Sequence, residues 1–209
     1  MSSLAYFDTL YGERPDYYGL GVRDEFRAFS SSCNMAERTV LDLGCGQGRH
    51  SKILAAMGAT VDAVDQSRAA ICQLDGYATQ NGLKITTTCC DALDFRVQPR
   101  RYDDIILVTL LDHLTLGGAS LLERECRTNI KTGGRVYVEV FTTEDPGFIE
   151  APHRSETGTA VRHFFEKGEL ANIFKAWKIL KCEEFVEEDK SHGPFHLHGI
   201  GVLIATKGR

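Results

Sequence analysis

A loop with glycine at every second position follows a short apolar segment near residue 40. Residues 40–49 read Val-Leu-Asp-Leu-Gly-Cys-Gly-Gln-Gly-Arg. Glycine accepts positive φ angles and lets a ligand approach the backbone without meeting a Cβ. A glycine-rich turn between a strand and a helix N-terminus is where α/β proteins bind nucleotide-like cofactors. The spacing is G-x-G-x-G rather than the dinucleotide fingerprint G-x-G-x-x-G, so the loop predicts a cofactor site of a different kind.

Strand-like and helix-like segments alternate along the chain. The run Ile105 to Val108 is continuously apolar, which is typical of a strand buried on both faces of a parallel sheet. The β-α-β-α order predicts a doubly wound, mostly parallel, Rossmann-like sheet in an α/β/α three-layer arrangement. Seven strands are expected, at 39–43, 60–64, 84–89, 104–109, 135–141, 178–186 and 197–205. Helices are expected at 22–32, 49–57, 67–80, 119–131 and 167–174.

The last two expected strands are joined by a short connection, residues 187–196. A crossover between parallel strands needs a dozen or more residues. We therefore expect the seventh strand to run antiparallel to the sixth.

Composition limits the classes of function. A chain of 209 residues suits one domain, here 1–209. A net charge of −5 without a basic stripe argues against nonspecific nucleic-acid binding. Seven scattered cysteines without a C-x-x-C pair indicate reduced thiols rather than a zinc site or disulfides. Neither a signal-peptide pattern nor an apolar stretch of membrane-spanning length is evident. We expect a cytoplasmic monomer or homodimer with no membrane or nucleic-acid partner.

A second cofactor element ends the second expected strand. Asp65 lies 17 positions after Gly48, near the place where a βαβ cofactor site has an acidic residue that accepts ribose hydroxyls. A carboxylate can accept two such donors in charge-assisted bonds. A solvated turn carboxylate is the alternative. Asp62 is the competitor, but strand alternation points its side chain away from the site.

Two more acidic elements follow in order. Asp91 comes just after the third expected strand, and Asp103 leads into the fourth. With the glycine loop and Asp65, they resemble the first four motifs of class I S-adenosylmethionine (SAM) methyltransferases. The resemblance implies transfer of the SAM methyl group to a small-molecule acceptor, yielding S-adenosylhomocysteine (SAH). The cofactor-binding residues that it implies are Asp42, Gly44, Cys45, Gly46, Asp65, Gln66, Asp91, Ala92 and Val108, with Asp91 accepting from the adenine amine.

Within that superfamily the chain resembles small tellurite-resistance and thiopurine methyltransferase-like enzymes. The stretches that carry this likeness are 40–49 and 59–65, preceded by an aromatic N-terminal segment. These motifs specify the cofactor and leave the acceptor atom open.

Histidines are the candidate acceptor-side groups. His196 and His198 share a strand face, His192 precedes them, and His113 follows the fourth expected strand beside Asp112. Histidine titrates near neutral pH and can serve as a base, and we take His113, His196 and His198 as the catalytic candidates. Hydrogen-bonded structural histidines are the alternative. No metal is expected, because two histidines lack a convincing third ligand.

Two segments are expected to cover the site. The connection 142–166 carries Arg154, Arg162 and His163 and has the length of an acceptor-side loop. Residues 1–35 are expected to form a helical, aromatic lid over the cofactor, with packing at the sheet edge as the alternative. The aromatic concentration near its N-terminus consists of Tyr6, Phe7, Tyr11, Tyr17 and Tyr18.

Two functions of other classes remain open at this point, besides a transferase of the same fold that uses another group of a modified SAM. A nicotinamide-dependent oxidoreductase also uses a glycine loop and an acidic residue like Asp65, but the glycine spacing and the antiparallel last strand count against it. A noncatalytic SAM-binding protein keeps the cofactor elements without acceptor chemistry.

Overall fold

The computed structural model describes residues 3–149, 163–189 and 196–208. The strands are β1 (Thr39–Leu43), β2 (Thr60–Asp65), β3 (Ile85–Cys89), β4 (Asp104–Val108), β5 (Arg135–Phe141), β6 (Lys178–Asp189) and β7 (His196–Thr206). The helices of the described residues are α1 (Ser3–Glu13), α2 (Asp24–Ser31), α3 (Arg49–Ala56), α4 (Arg68–Asn81), α5 (Leu116–Asn129), α6 (Pro146–Ile149) and α7 (Glu169–Ile173).

The strands form one seven-stranded sheet in the order β3-β2-β1-β4-β5-β7-β6. The pairings among β1 to β5 are parallel, and β7 is antiparallel to both β5 and β6. The predicted fold class is confirmed, including the reversed last strand. Because the order turns around between β1 and β4, the crevice beyond their carboxyl ends is where an open α/β sheet binds its ligand.

The sheet is covered on both faces. One apolar cluster packs beneath α5 and α7 and includes Leu122 and Phe174. The other packs beneath α2, α3 and α4 and includes Phe26, Leu54 and Leu74. These two clusters are the layers that the alternating sequence pattern predicts.

Local signals explain where the helices begin and end. The Ser67 hydroxyl accepts a hydrogen bond from the Ala70 N–H, as expected of an N-cap, and Gly82 ends α4 in the left-handed conformation. Gly76 does not interrupt this helix. α5 begins at Leu116, three residues earlier than predicted, because Thr115 caps it by accepting from the Gly118 N–H.

Candidate cofactor site

A cleft opens at the carboxyl ends of β1 and β4, at the turn-around of the strand order. It encloses about 490 Å³, including space open to solvent. One wall is the glycine loop, Gly44 to Gln47, with Val108 and Thr109 beside it. The opposite wall is the N-terminal segment, with Tyr11, Asp16 and Tyr18. The glycine loop and the end of β4 therefore meet where the sequence predicts cofactor binding.

All three alternating glycines have positive φ angles. Gly44 is at +70°, Gly46 at +52° and Gly48 at +81°. A Cβ on Gly48 would lie 2.3 Å from a methyl group of Leu74, and one on Gly44 would lie 2.9 Å from Leu110. Both backbone conformation and close packing thus require glycine at these positions.

Asp65 ties the end of β2 to the glycine loop. Its Oδ2 accepts from the Gly46 N–H at 2.8 Å, and its Oδ1 accepts from the Ser67 N–H at 2.8 Å. Burial raises the pKa of this carboxyl, and the two backbone donors oppose that rise. Asp62 instead accepts from Arg101 and Tyr102, as strand alternation predicts. Of these two β2 carboxylates, Asp65 is the one that contacts the glycine loop.

The N-terminal segment is fastened to the glycine loop through Gln47. The Gln47 amide donates to the Arg14 carbonyl at 2.9 Å and to Gln73 Oε1 at 2.7 Å. Its Oε1 accepts from the Tyr17 N–H at 2.8 Å. Gln73 in turn donates to the Tyr11 carbonyl at 2.7 Å. This two-glutamine clasp, Gln47 with Gln73, holds the segment over the cleft.

Aromatic rings line the inner side of that segment. Tyr11 is buried, stacks on Phe7 at 5.6 Å between ring centroids and meets Tyr18 edge-on at 6.3 Å. Asp8 fixes the other side of α1, because its Oδ1 accepts from the Ser67 hydroxyl and the Ala69 N–H at the start of α4. The segment lies in the cleft wall and packs against α4, and its role as a lid stays a prediction.

Thr109, just beyond β4, is a strained residue in the cleft wall. Its φ is +46°, a left-handed conformation that is a genuine outlier for a β-branched residue. Strain of this kind persists where the surroundings fix it and is concentrated at functional sites.

Most of the other cofactor candidates lie outside the cleft wall. Asp42 is buried and accepts from the Ser51 hydroxyl at 2.6 Å, and burial raises its pKa to about 6. Gln66 accepts through its backbone carbonyl from the Cys89 thiol. Asp91 accepts from the Leu93 N–H, and Ala92 is buried in the core. Their roles toward a cofactor stay predictions.

Cys45, by contrast, lies in the cleft wall. It is buried, and burial raises its thiol pKa well above the usual value. The thiol is therefore neutral at physiological pH, consistent with a spacer within the loop.

The acceptor-side candidates are spread along the same edge of the sheet. The His113 ring meets Phe7 of α1 edge-on at 5.0 Å. His198 is buried, and its Nδ1 lies 2.9 Å from Asp145 Oδ2. His196 begins β7, but its side chain, like His192, Arg154 and Arg162, lies outside the described residues. His163 pairs with Glu169 at 2.8 Å.

Several residues at this edge have positions or contacts that the sequence pattern hardly predicts. Asp145 precedes Pro-Gly, which is a turn signal, but nothing pairs it with His198, 53 positions away. Thr109 gives no cue to its left-handed backbone. Asp112, which the sequence places near the site, is fully buried, and its two carboxylate oxygens have no hydrogen-bond partner among the described residues.

Comparison with known proteins agrees with this geometry. A family described as a methyltransferase domain matches residues 40–134, from β1 to the turn before β5. The predicted likeness to SAM-dependent methyltransferases is therefore confirmed for this segment, which makes up slightly less than half of the chain. The matched range holds the glycine loop, Asp65, Asp91 and Val108.

One curated relative of the methyltransferase domain is the ubiquinone biosynthesis O-methyltransferase of Paraburkholderia phytofirmans. It is 32% identical over 120 residues, which make up 56% of this chain and 50% of that protein. The chain thus spans about half the length of the curated relatives it matches.

Solved structures share the fold at low sequence identity. TehB from Haemophilus influenzae has a TM-score of 0.76 at 20% identity, covering 98% of this chain and 67% of that one. Magnesium protoporphyrin IX methyltransferase (ChlM) from Synechocystis PCC 6803 with bound SAH has a TM-score of 0.73 at 17% identity, covering 98% and 97%. At these identities the likeness concerns the fold.

The cleft suits the cofactor of the methyltransferase domain. The three glycines leave the backbone at the end of β1 accessible to a ligand. The buried carboxylate of Asp65 accepts from the Gly46 N–H and can still accept further hydrogen bonds, since each oxygen has more than one lone pair.

No helix within the described ranges is long and apolar enough to cross a bilayer.

Proposed function

We propose that this chain binds SAM in the cleft and transfers its methyl group to a small-molecule acceptor by in-line displacement, releasing SAH. The observation that carries the proposal is the glycine loop with three left-handed glycines, tied to Asp65 and facing the end of β4. SAM supplies an electrophilic methyl group on a sulfonium, whose sulfur needs no protonation on leaving.

The residues of this chain would contribute mainly position and exclusion of water. Asp65 would accept the ribose hydroxyls, and Asp91 with Ala92 would face the adenine. Val108 and Thr109 would line the donor side, and Tyr11 and Tyr18 would cover it. Positioning alone supplies roughly 7–11 kcal/mol in the best intramolecular models, so a site without many reactive side chains is chemically adequate.

The acceptor is proposed to be a small molecule because the N-terminal segment, held to the glycine loop, forms one wall of the cleft. The relative from Paraburkholderia phytofirmans is named for O-methylation in ubiquinone biosynthesis, which makes a hydroxyl compound a reasonable first acceptor class.

The cytoplasm is the proposed location, since all seven cysteines are described and none forms a disulfide.

The test is a calorimetric titration of the purified chain with SAH, beside an identical titration with NAD. Micromolar SAH binding with no NAD signal supports the proposal. NAD binding without SAH binding would instead favour an oxidoreductase. Transfer of a labelled methyl group from SAM, screened over hydroxyl compounds, thiols and chalcogen oxyanions, then separates an enzyme from a noncatalytic SAM-binding protein.

A further inference from the structure

An Asp–His pair is built at the carboxyl edge of the sheet, beyond the cofactor elements. His198 Nδ1 lies 2.9 Å from Asp145 Oδ2. Both side chains are buried, at 7% exposure for His198 and 2% for Asp145. An ionised carboxylate only accepts hydrogen bonds, so Nδ1 is the nitrogen that carries the proton. The neutral imidazole then has Nε2 as its basic nitrogen.

The backbone around Asp145 fixes this carboxylate in place. Oδ1 accepts from the Gly147 N–H at 2.7 Å, and Oδ2 also accepts from the Gly199 N–H at 3.2 Å. The turn itself is closed by the Asp145 N–H, which donates to the Thr142 carbonyl. With three donors on its two oxygens, the carboxylate has little freedom to rotate.

Gly199 permits the close approach of that turn to β7. A Cβ at this position would lie 2.3 Å from the Asp145 nitrogen and 2.5 Å from the Glu144 carbonyl carbon. Any other residue would push the turn away from β7. The glycine next to His198 is therefore part of what brings Asp145 to the ring.

The strand register places His198 on the same side of the sheet as the cofactor cleft. Val108, a cleft residue, is in register with Glu139 of β5. Phe141 shares the face of Glu139 and is in register with Ile200 of β7, two residues from His198. The rings of Phe141 and His198 are 5.0 Å apart. Two strand spacings, roughly 10 Å, separate β7 from β4.

Other acidic residues surround the pair on neighbouring elements. Glu187 of β6 is in register with His198 and pairs with Arg23. Glu139 is already paired with Arg23 and accepts from the Tyr137 hydroxyl. The two carboxylate oxygens of Asp112 have no hydrogen-bond partner among the described residues. Burial raises the pKa of this carboxyl well above the usual value, and the charges of Glu139 and Asp145 add to that rise. Among these acids, Asp145 is the one whose carboxylate is directed at the imidazole.

We propose that Asp145 is a positioning residue that holds His198 with Nε2 as the proton acceptor for a hydroxyl substrate. This rests on the proposed function. As the acceptor oxygen forms its bond to the methyl carbon, the carbon–sulfur bond breaks and its electron pair stays on the sulfur of SAH. The hydroxyl proton passes to Nε2, and the imidazolium is stabilised by Asp145. An acceptor that is already an anion has no proton to lose and needs no base.

The first test is independent of turnover. Long-range ¹H–¹⁵N spectra of the histidine-labelled chain should show neutral His198 protonated at Nδ1, and Asp145→Asn should change that pattern because an amide can donate to Nδ1. Glu169→Gln is the matched control, since it alters the partner of His163 and should leave His198 unchanged. A His198 protonated at Nε2 in the wild-type chain overturns the proposal, whether or not the variant folds.

The second test compares two acceptors on chain already shown to bind SAM: catechol, which must lose a proton, and tellurite, which is an oxyanion. His198→Gln should slow methyl transfer to catechol by about 10²- to 10⁴-fold, the usual contribution of a general base, and leave SAH affinity and tellurite turnover within a few-fold. Asp145→Asn should slow the catechol reaction selectively too. No catechol methylation by the wild-type chain, or equal losses on both acceptors, overturns the proposal. Absent SAM binding would instead refute the proposed function and leave the spectroscopic result standing.

Discussion

Asp65 accepts a hydrogen bond from the Gly46 N–H at 2.8 Å, which joins the end of β2 to the middle of the glycine loop. The two residues are 19 positions apart and lie on adjacent parallel strands or the turn that follows. The same carboxylate that is expected to hold the ribose hydroxyls therefore also shapes the loop. We therefore expect cofactor affinity and loop geometry to be coupled through this one side chain.

Asp65→Asn should weaken SAH binding by tenfold or more. Hydrogen bonds to a charged group contribute about 1.5–3 kcal/mol, and the amide can accept only through one of its two terminal atoms. Calorimetry with SAH measures the change. Asp62→Asn is the control on the same strand, because its carboxylate contacts Arg101 and Tyr102 instead; an equal loss in both variants would mean that Asp65 has no special role.

Gly48→Ala should destabilise the chain by more than about 2 kcal/mol. The left-handed backbone at +81° costs roughly 1–2 kcal/mol for an L-residue, and the added Cβ would clash with Leu74 at 2.3 Å. Urea unfolding measures the free energy. Gly76→Ala is the matched substitution: it lies exposed within α4 with nothing within 4 Å of an added Cβ. There we expect stabilisation of roughly 0.5–1 kcal/mol, and two changes of the same sign would contradict this account.

Gln47→Ala should loosen the N-terminal segment while leaving the sheet intact. The variant removes the bonds to Arg14, Tyr17 and Gln73. The Tyr17 N–H donates to Gln47 Oε1, so its hydrogen exchange should accelerate in the variant. The expected factor is roughly tenfold or more, because each lost hydrogen bond contributes about 1 kcal/mol. Amides of β4 and β5 should keep their protection. Gln80→Ala, exposed near the end of α4, is the control, and unchanged exchange at Tyr17 would show that the clasp does not hold the segment.

Asp112→Asn should change how stability depends on pH. Burial raises the pKa of Asp112, so the folded chain binds this proton more tightly than the unfolded chain does. Its contribution to stability is present below the unfolded pKa and declines as pH rises toward the folded one. The free energy of unfolding of the variant should therefore increase relative to that of the wild-type chain as pH rises from about 4 to 8.

Asp103→Asn is the opposite case and serves as the control. Burial acts to raise the pKa of Asp103, but the Lys131 ammonium and the Thr39 N–H outweigh it and hold the pKa below the usual value. Its stabilising contribution is present above the unfolded pKa and is lost as pH falls through the folded one. The wild-type advantage over this variant should shrink in acid. Parallel pH profiles for the two variants would refute both assignments.

Much of the fold follows from local signals that the chain carries in order. The continuous apolar run at 105–108 predicts a doubly covered strand, and the short 187–196 connection predicts the reversed β7; both are confirmed. Helix ends were predicted less well where a cap lay outside the apolar pattern. Thr115 extends α5 toward its N-terminus because one hydroxyl satisfies the Gly118 N–H, a contact that hydrophobic periodicity does not register.

The sequence by itself determined the sheet, its reversed last strand and the glycine loop, because each depends on residues close together in the chain. Only the tertiary structure decided which side chains meet: Asp65 with Gly46, Gln47 with Gln73, and Asp145 with His198. The physical reason is that hydrogen bonds form between groups about 3 Å apart in space, and that spacing is set by strand register, by the turn at Gly199 and by the packing of α1 on α4. None of these three features can be predicted from a single position in the sequence.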